Sequence, residues 1–402
     1  MFRFDILAPV RRAALFALIA AAPAAQADGG FLQVGDMASA RALHGAMALP
    51  NGRVLVLGGI ADFGAIVGIA ELYDPLTMSF VGTSLPNRAR MRPTMVGLAD
   101  GRVFIYGGRD DSGYLADAEI YDPASGQFTP AASTAETRYV VSAVLLADGK
   151  VLLAGGFTRE AGPLSSAEVY DPISDQYTPT GSLSGPRVQV NAAVRLDDGR
   201  VLIAGGNNDT DGQLASAELY DPASGTFSLT GALPAPRDNH DAIVLRDGRV
   251  LIVGGDSGIE DNGFPHYVPE ALLYDPASGQ FTPTGSLAHP RDFPATSLLP
   301  DGRVLVAGGS HLSGNPGTVT VPEAEIYDPA TGTFSEAGSM IVPRDEPVAA
   351  NLQDGSVLLV GGFAFAGDTV GDMPSAAVER YVPAVQDSIF EDGFDGAPLR
   401  RR

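Results

Sequence analysis

The chain contains no cysteine and no tryptophan. Without cysteine it can form no disulfide, offers no thiol nucleophile and supplies no thiolate metal ligand. Any fold must therefore be held by a buried core and backbone ladders. Basic charge is also scarce. Lys and Arg number 26 against 48 Asp and Glu, for a net charge of −22 over 402 residues. Gripping phosphate needs clustered Lys and Arg, so nucleic acid and anionic lipid are excluded as expected partners. Long apolar runs are missing too. The N-terminal stretch AALFALIAAA, residues 13–22, is too short to anchor a span, and no other segment approaches the ~18 apolar residues that a span requires. No membrane span is expected.

That N-terminal stretch has a different use. Arg11 and Arg12 precede it, and Ala25-Gln26-Ala27 follows it as a small-residue cleavage site. Residues 1–27 read as a signal peptide, so the chain is expected to be exported, to the periplasm or beyond, and to begin near Asp28. Residues 28–383 read as one domain. Residues 384–402, with IFEDGFDG and a terminal RRR, read as a disordered tail.

The sequence is rich in turn formers, with 49 Gly and 30 Pro, and hydrophobic residues make up 45%. The glycines are periodic. Gly-Gly pairs stand at 58–59, 107–108, 155–156, 205–206, 254–255, 308–309 and 361–362. Each ends an apolar run such as VLLAGG, and a turn signal, usually Asp-Gly, precedes each run. Each pair is followed by a variable loop and then a strand ending in Tyr, at 73, 121, 170, 220, 274, 327 and 381. Seven residues after the first six tyrosines comes another aromatic: Phe80, Phe128, Tyr177, Phe227, Phe281 and Phe334. Each unit reads as four short strands.

This pattern resembles the kelch repeat, whose usual Trp is replaced here by Phe or Tyr. The period of about 50 residues is that of kelch propeller blades. The resemblance implies an all-β fold: a seven-bladed β-propeller with one four-stranded sheet per blade. The seventh repeat lacks its second aromatic. Phe31 supplies it, because FLQVGDMASAR aligns with FTPTGSLAHPR, and an Arg stands ten residues after the aromatic in all seven units. The N-terminal strand is therefore expected to complete the last blade and close the ring.

In such a blade the Gly-Gly loops share one face with the Arg-bearing connections, and the repetitive DGR and DPASG turns share the other. The variable Gly-Gly face is the expected binding surface. From the second Gly to the Tyr is 13 or 14 residues in blades 1–4 and 18 or 19 in blades 5–7, so a site is expected on the longer loops. Candidate ligand contacts there are Arg237, Asp238, His240, His266, Arg291, His311 and Arg344. The repeat arginines have a second reading as structural partners of a Glu that precedes the Tyr by two residues in six blades.

The loop Asn207-x-Asp209-x-Asp211-Gly212, with Glu218 further on, has the spacing of a calcium loop, with those four residues as its oxygen donors. Glu218 is also the recurring repeat Glu. No other cofactor is expected. Propellers of the galactose oxidase type carry copper with a Cys–Tyr crosslink, which a chain without cysteine cannot form. The function expected is a monomeric module binding a protein or carbohydrate. The alternative is a carbohydrate-active, epimerase-like enzyme using a base and anion-binding arginines on the same face, where Arg237, Asp238, His240 and Asp241 cluster, as do Arg344, Asp345 and Glu346.

Overall fold

The computed structural model describes residues 29–188, 192–259, 265–312, 318–365 and 372–384. The expected leader lies outside the described residues, as does the tail beyond Ala384.

Seven four-stranded antiparallel sheets carry the seven repeats. Blade 2 is typical. Its strands are Thr94–Gly97, Val103–Tyr106, Ala118–Asp122 and Gln127–Ala131, paired in sequence order. The second strand is the apolar run, and in every blade all four of its residues are buried. A strand enclosed on both faces reads as an uninterrupted apolar run, which is why these segments do not alternate. The first strands line the axis, each touching the next, and blade 7 touches blade 1. No helix among the described residues is long and apolar enough to cross a membrane.

Turn chemistry sets the strand lengths. In Asp100-Gly101-Arg102 the Asp100 carboxylate accepts the Arg102 N–H at 3.1 Å, and Gly101 takes a φ of +87°, a left-handed position where glycine carries no penalty. Tyr and its partner aromatic lie opposite each other on strands three and four. Their rings are 4.7–5.2 Å apart and tilted in all seven blades. In blade 7 the partner is Phe31. Strand Gly30–Gln33 pairs with Val378–Val382, with Phe31 opposite Tyr381. The two chain ends thus complete one sheet.

The repeat Arg joins neighbouring blades. In blades 1–6 its guanidinium donates to the carbonyl of the first Gly in its own blade, as from Arg90 to Gly107 at 2.8 Å and from Arg291 to Gly308 at 3.1 Å. Its own carbonyl accepts the second Gly N–H of the preceding blade, as at Gly59 to Arg90 (2.9 Å) and Gly255 to Arg291 (2.8 Å). The last link runs from Gly362 to Arg41 at 3.0 Å. The close approach excludes a side chain: a Cβ on Gly58 would lie 2.3 Å from the Arg90 carbonyl oxygen.

The guanidinium also meets the repeat Glu. Arg41 pairs with Glu71, Arg90 with Glu119 (3.2 Å), Arg187 with Glu218 (2.6 Å), Arg291 with Glu325 (3.0 Å) and Arg344 with Glu379 (3.1 Å). In blade 3 Glu168 is further off, 3.9 Å from Arg138, and Glu136 is at 3.1 Å. The same Glu accepts a backbone N–H of the incoming connection, from Ala38, Asn87, Ser184, Ala288 or Ile341. Blade 5 departs from this. Leu272 replaces the Glu, and Pro234, which has no N–H, stands where that donor would be. Acceptor and donor are lost together, so the missing Glu leaves no backbone N–H unmatched at that position.

Candidate functional site

Each connection bends sharply just after the repeat Arg. The second residue past it has positive φ in every blade where it is described: Leu43, Arg92, Val140, Asn239, Phe293 and Glu346, at +46° to +56°. For a residue with a side chain this conformation costs about 1 kcal/mol or more. Glycine would meet the turn more cheaply, yet none of the six is glycine. Five of them, Leu43, Arg92, Val140, Phe293 and Glu346, line one cavity of about 240 Å³ where the connections converge at the start of the innermost strands. The ring thus tolerates strain at the positions that furnish the mouth of its central channel.

These residues bridge across the mouth. Arg92 donates to Glu346 at 2.7 Å, joining blade 2 to blade 7. Its guanidinium lies 5.9 Å from the centre of the Phe293 ring in blade 6, a cation–π arrangement.

The first residue past the Arg pairs with the residue after the Gly-Gly in each blade. It is Ala42, Met91, Tyr139 and Val188 in blades 1–4, but Asp238, Asp292 and Asp345 in blades 5–7. One side of the mouth is therefore apolar and aromatic. Tyr139 stacks on Tyr114 at 5.0 Å, Phe157 meets Tyr114 edge-on at 5.6 Å, and Arg109 lies 6.0 Å from the Tyr114 ring. The other side is an arc of carboxyl groups. Asn207 donates to Asp238. Asp256 accepts from Gln213 and from Asn239, both at 3.1 Å. Ser310 donates to Asp292 at 3.1 Å. Burial raises Asp238 to about 6, with Asp256 adding repulsion. Burial raises Asp292 to about 7, helped by Asp256 and Glu346, and Asp345 to about 8, helped by Glu346 and Asp292.

The longer loops of blades 5–7 form hairpins above this arc: Asp256–Ile259 with Pro265–Tyr267, Ser310–Leu312 with Thr318–Thr320, and Phe363–Phe365 with Asp372–Pro374.

The residues singled out in the sequence fall in three places. Arg237, Arg291 and Arg344 are at most 2% exposed. Their guanidiniums are committed within the blades to carbonyls and, for the last two, to Glu325 and Glu379, so burial withholds them from a ligand in solution. Asp238 lies on the arc. His266 is exposed in the blade 5 hairpin, and His311 in the blade 6 hairpin meets Tyr267 edge-on at 6.3 Å. His240 is 1% exposed, and a Cβ on Gly205 would fall 2.7 Å from its Cε1. His44 fits against Gly361 in the same way, at 2.6 Å. Both imidazoles fill space that the glycine pairs leave.

The two imidazoles make a test of acid stability. Burial lowers His44 and His240 to about 3, with the neighbouring repeat arginines adding to the effect. The unfolded chain takes up these protons near pH 6.5 and the folded chain does not. Their stabilising contribution is complete above about pH 6.5 and is lost as pH falls toward 3. Val141 and three prolines hold the equivalent position in other blades, so His240→Val should fold. Relative to wild type the variant should gain roughly 2–3 kcal/mol between pH 7 and pH 4, read from urea melts at each pH. A constant difference between the two proteins would refute this assignment.

The four calcium-loop donors are not gathered. Glu218 is 1% exposed and bonded to Arg187 and to the Ser184 N–H and hydroxyl. Asp209 and Asp211 are exposed on the hairpin turn, and Asn207 is turned to Asp238. Among the described residues no three His, Asp or Glu side chains are placed to hold a metal.

Asp292 and the crossing Arg92 escaped the sequence reading, which reached Asp238, Asp345 and Glu346 only as charges clustered beside repeat arginines. Comparing the residue just after each repeat Arg, blade by blade, is the signal that reveals them.

A kelch motif model matches residues 96–134 and 142–184, within blades 2 and 3. No curated protein matches the chain. Among solved structures the chain is similar to a fungal alcohol oxidase of the AA5 family in complex with copper. The TM-score is 0.68 at 20% identity, covering 89% of this chain and 76% of that one. At that identity the likeness concerns the fold. A crosslinked copper centre does not fit these residues, since cysteine is absent and His44 and His240 are buried in different blades. Two matched kelch motifs thus lie within a β-propeller of seven four-stranded sheets.

Proposed function

We propose that the chain is an exported binding module for a protein or a glycan, and that it binds at the channel mouth on the Gly-Gly face. The observation that carries this reading is the set of five strained, non-glycine residues lining one cavity, which bring aliphatic, aromatic, basic and acidic groups together. A repeat maintained for structure alone gains nothing from that variety. Export rests on the N-terminal leader pattern, and the kelch propeller fold suits a binding role.

The test exploits the strain. Arg92→Gly with Phe293→Gly removes the side chains while easing the backbone, so the fold should persist. Glycan arrays and a panel of immobilised candidate proteins are probed with both forms. Ligands of the wild type should bind the double variant at least about tenfold more weakly, a loss of 1.4 kcal/mol, with the melting midpoint nearly unchanged. Equal binding by both would place the site elsewhere.

A carbohydrate-active, epimerase-like enzyme is the second reading. Carboxyl groups poised near neutral pH beside a cavity favour it. Arg92, rather than the buried repeat arginines, would serve as its anion contact. Turnover of a bound glycan that disappears in Asp345→Asn would select this reading.

A further inference from the structure

We propose that two copies of this chain pair through blade 1, each inserting Phe63 into a cavity on the other, in place of the monomer expected from the sequence. Large hydrophobic residues are exposed unevenly. Of twelve such residues among the described ones, six belong to blade 1 and the connection leaving it: Phe63, Ile69, Leu76, Met78, Val81 and Leu85. Phe63 is the extreme case, with its side chain wholly in solvent. It stands at the tip of the loop after Gly58-Gly59, at φ +59° and ψ +22°, a left-handed conformation unfavourable for a bulky residue. The turn beneath it is well tied. The Ala61 N–H donates to the Ala65 carbonyl at 2.7 Å and the Gly64 N–H to the Ala61 carbonyl at 3.1 Å, and Ile60 pairs with Ile66. Glycine would meet this turn without strain, yet an aromatic ring is held out on it. The loops of blades 2–4 carry charge at their tips instead: Asp110 and Asp111, Arg159 and Glu160, Asp209 and Asp211. A convex apolar knob is covered only by a concave partner, so a small ligand does not suit it.

The chain itself carries a receptor for that knob. A cavity of about 280 Å³ lies at the same end of blade 1, and Ile69, Ala70, Phe80, Thr83 and Leu85 contribute to its lining. A two-fold axis passing between knob and cavity brings each Phe63 to the other copy's cavity, a reciprocal contact that closes at two copies. Charge permits the approach. Residues 54–86 hold only three charged side chains, Asp62, Glu71 and Asp74. Glu71 is buried against Arg41, and Asp74 pairs with Arg53. In a chain of net charge −22 this blade is a place where two copies meet with little like-charge repulsion. The area also fits. Leu85 is 66% exposed, Val81 47% and Ile69 36%, and with Phe63 they offer roughly 400–500 Å² of apolar surface, against the ~800 Å² that each partner buries in a stable interface. Somewhat over half of such an interface is apolar, so these four side chains match the apolar share of one partner.

The test needs no ligand, so it stands apart from the binding proposal. Interfaces of this size dissociate at micromolar concentration or below, so the full chain should sediment at twice the monomer mass at about 100 μM. Phe63→Gly, which removes the knob, and Leu85→Asp, which spoils the cavity, should each raise the dissociation constant at least about tenfold. Mixing the two variants should recover part of the loss. One then supplies an intact cavity and the other an intact knob, and one of the two reciprocal contacts re-forms. If Leu85→Asp fails to fold, Phe63→Gly decides, because it relieves backbone strain as it deletes the ring. A wild-type chain that stays monomeric at about 100 μM would overturn the pairing. So would a Phe63→Gly variant that dimerises as tightly as the wild type. A monomer that binds phosphatidylcholine vesicles and loses that binding in Phe63→Gly would also overturn it, and would assign the loop to a lipid surface.

Discussion

Replacing Arg291 by Met should cost about 3–5 kcal/mol, whereas the same change at Arg237 should cost about 1–2 kcal/mol. The two arginines occupy the same repeat position and are equally hidden. They differ in what their removal leaves behind. Without Arg291, Glu325 remains buried, 1% exposed, with only the N–H groups of Ala288 (2.9 Å) and His289 (3.2 Å) to hold its charge. An unpaired buried carboxylate is the expensive outcome. Arg237 has no such partner, because blade 5 carries Leu272. Its guanidinium donates only to the carbonyls of Gly254 (3.3 Å) and Glu270 (2.9 Å), and burial lowers its pKa to about 10.

Urea denaturation of the two variants gives the comparison, provided the m-value is unchanged. Blade 5 also supplies a rescue. Arg291→Met with Glu325→Leu and Ala288→Pro should recover most of the loss, since charge, counter-charge and the closer of the two orphaned N–H groups go together. Equal costs for Arg237→Met and Arg291→Met would show that the carbonyl contacts, not the ion pairs, hold the blades.

Removing the closing strand should be as damaging. A chain starting at Asp36 lacks Gly30–Gln33, exposes the edge of Val378–Val382 and deprives Tyr381 of Phe31. Loss of several kcal/mol should lower the melting midpoint by about 10 °C, at roughly 2–4 °C per kcal/mol for large domains. The bared edge should also promote self-association, visible in light scattering. Supplying residues 29–35 as an extension after Ala384 should restore both properties, because the strand is needed for its pairing rather than for its place in the chain. A truncated protein that melts with the full chain would show that the ring does not depend on this closure.

The fold was legible because a propeller writes its geometry into every blade. Apolar runs that end in Gly-Gly identify strands enclosed on both faces. The aromatic seven residues past the Tyr in blades 1–6 follows from a four-residue turn between antiparallel strands, as between Asp122 and Gln127. The missing aromatic of blade 7, matched to Phe31, announced the closure. The Arg and Glu of the repeat were both visible, and their pairing follows from equal recurrence. The mouth was less legible. Arg92 and Glu346 are 254 residues apart, and neither belongs to the repeat pattern. Asp238, Asp292 and Asp345 occur singly among many acidic residues, and only the ring gathers them on one arc. The calcium-like spacing shows the converse: proximity in sequence did not give convergence, because Glu218 was already claimed by Arg187.

The amino-acid sequence by itself therefore determined the blade, the number of blades and the way the ring closes, since those depend on local periodicity and on contacts repeated seven times. Tertiary structure alone decided which one-off side chains meet at the mouth and which carboxyl groups are buried close to one another there. The reason is physical. Burial and charge–charge distance are set by the closed ring, and neither is a property of any single repeat.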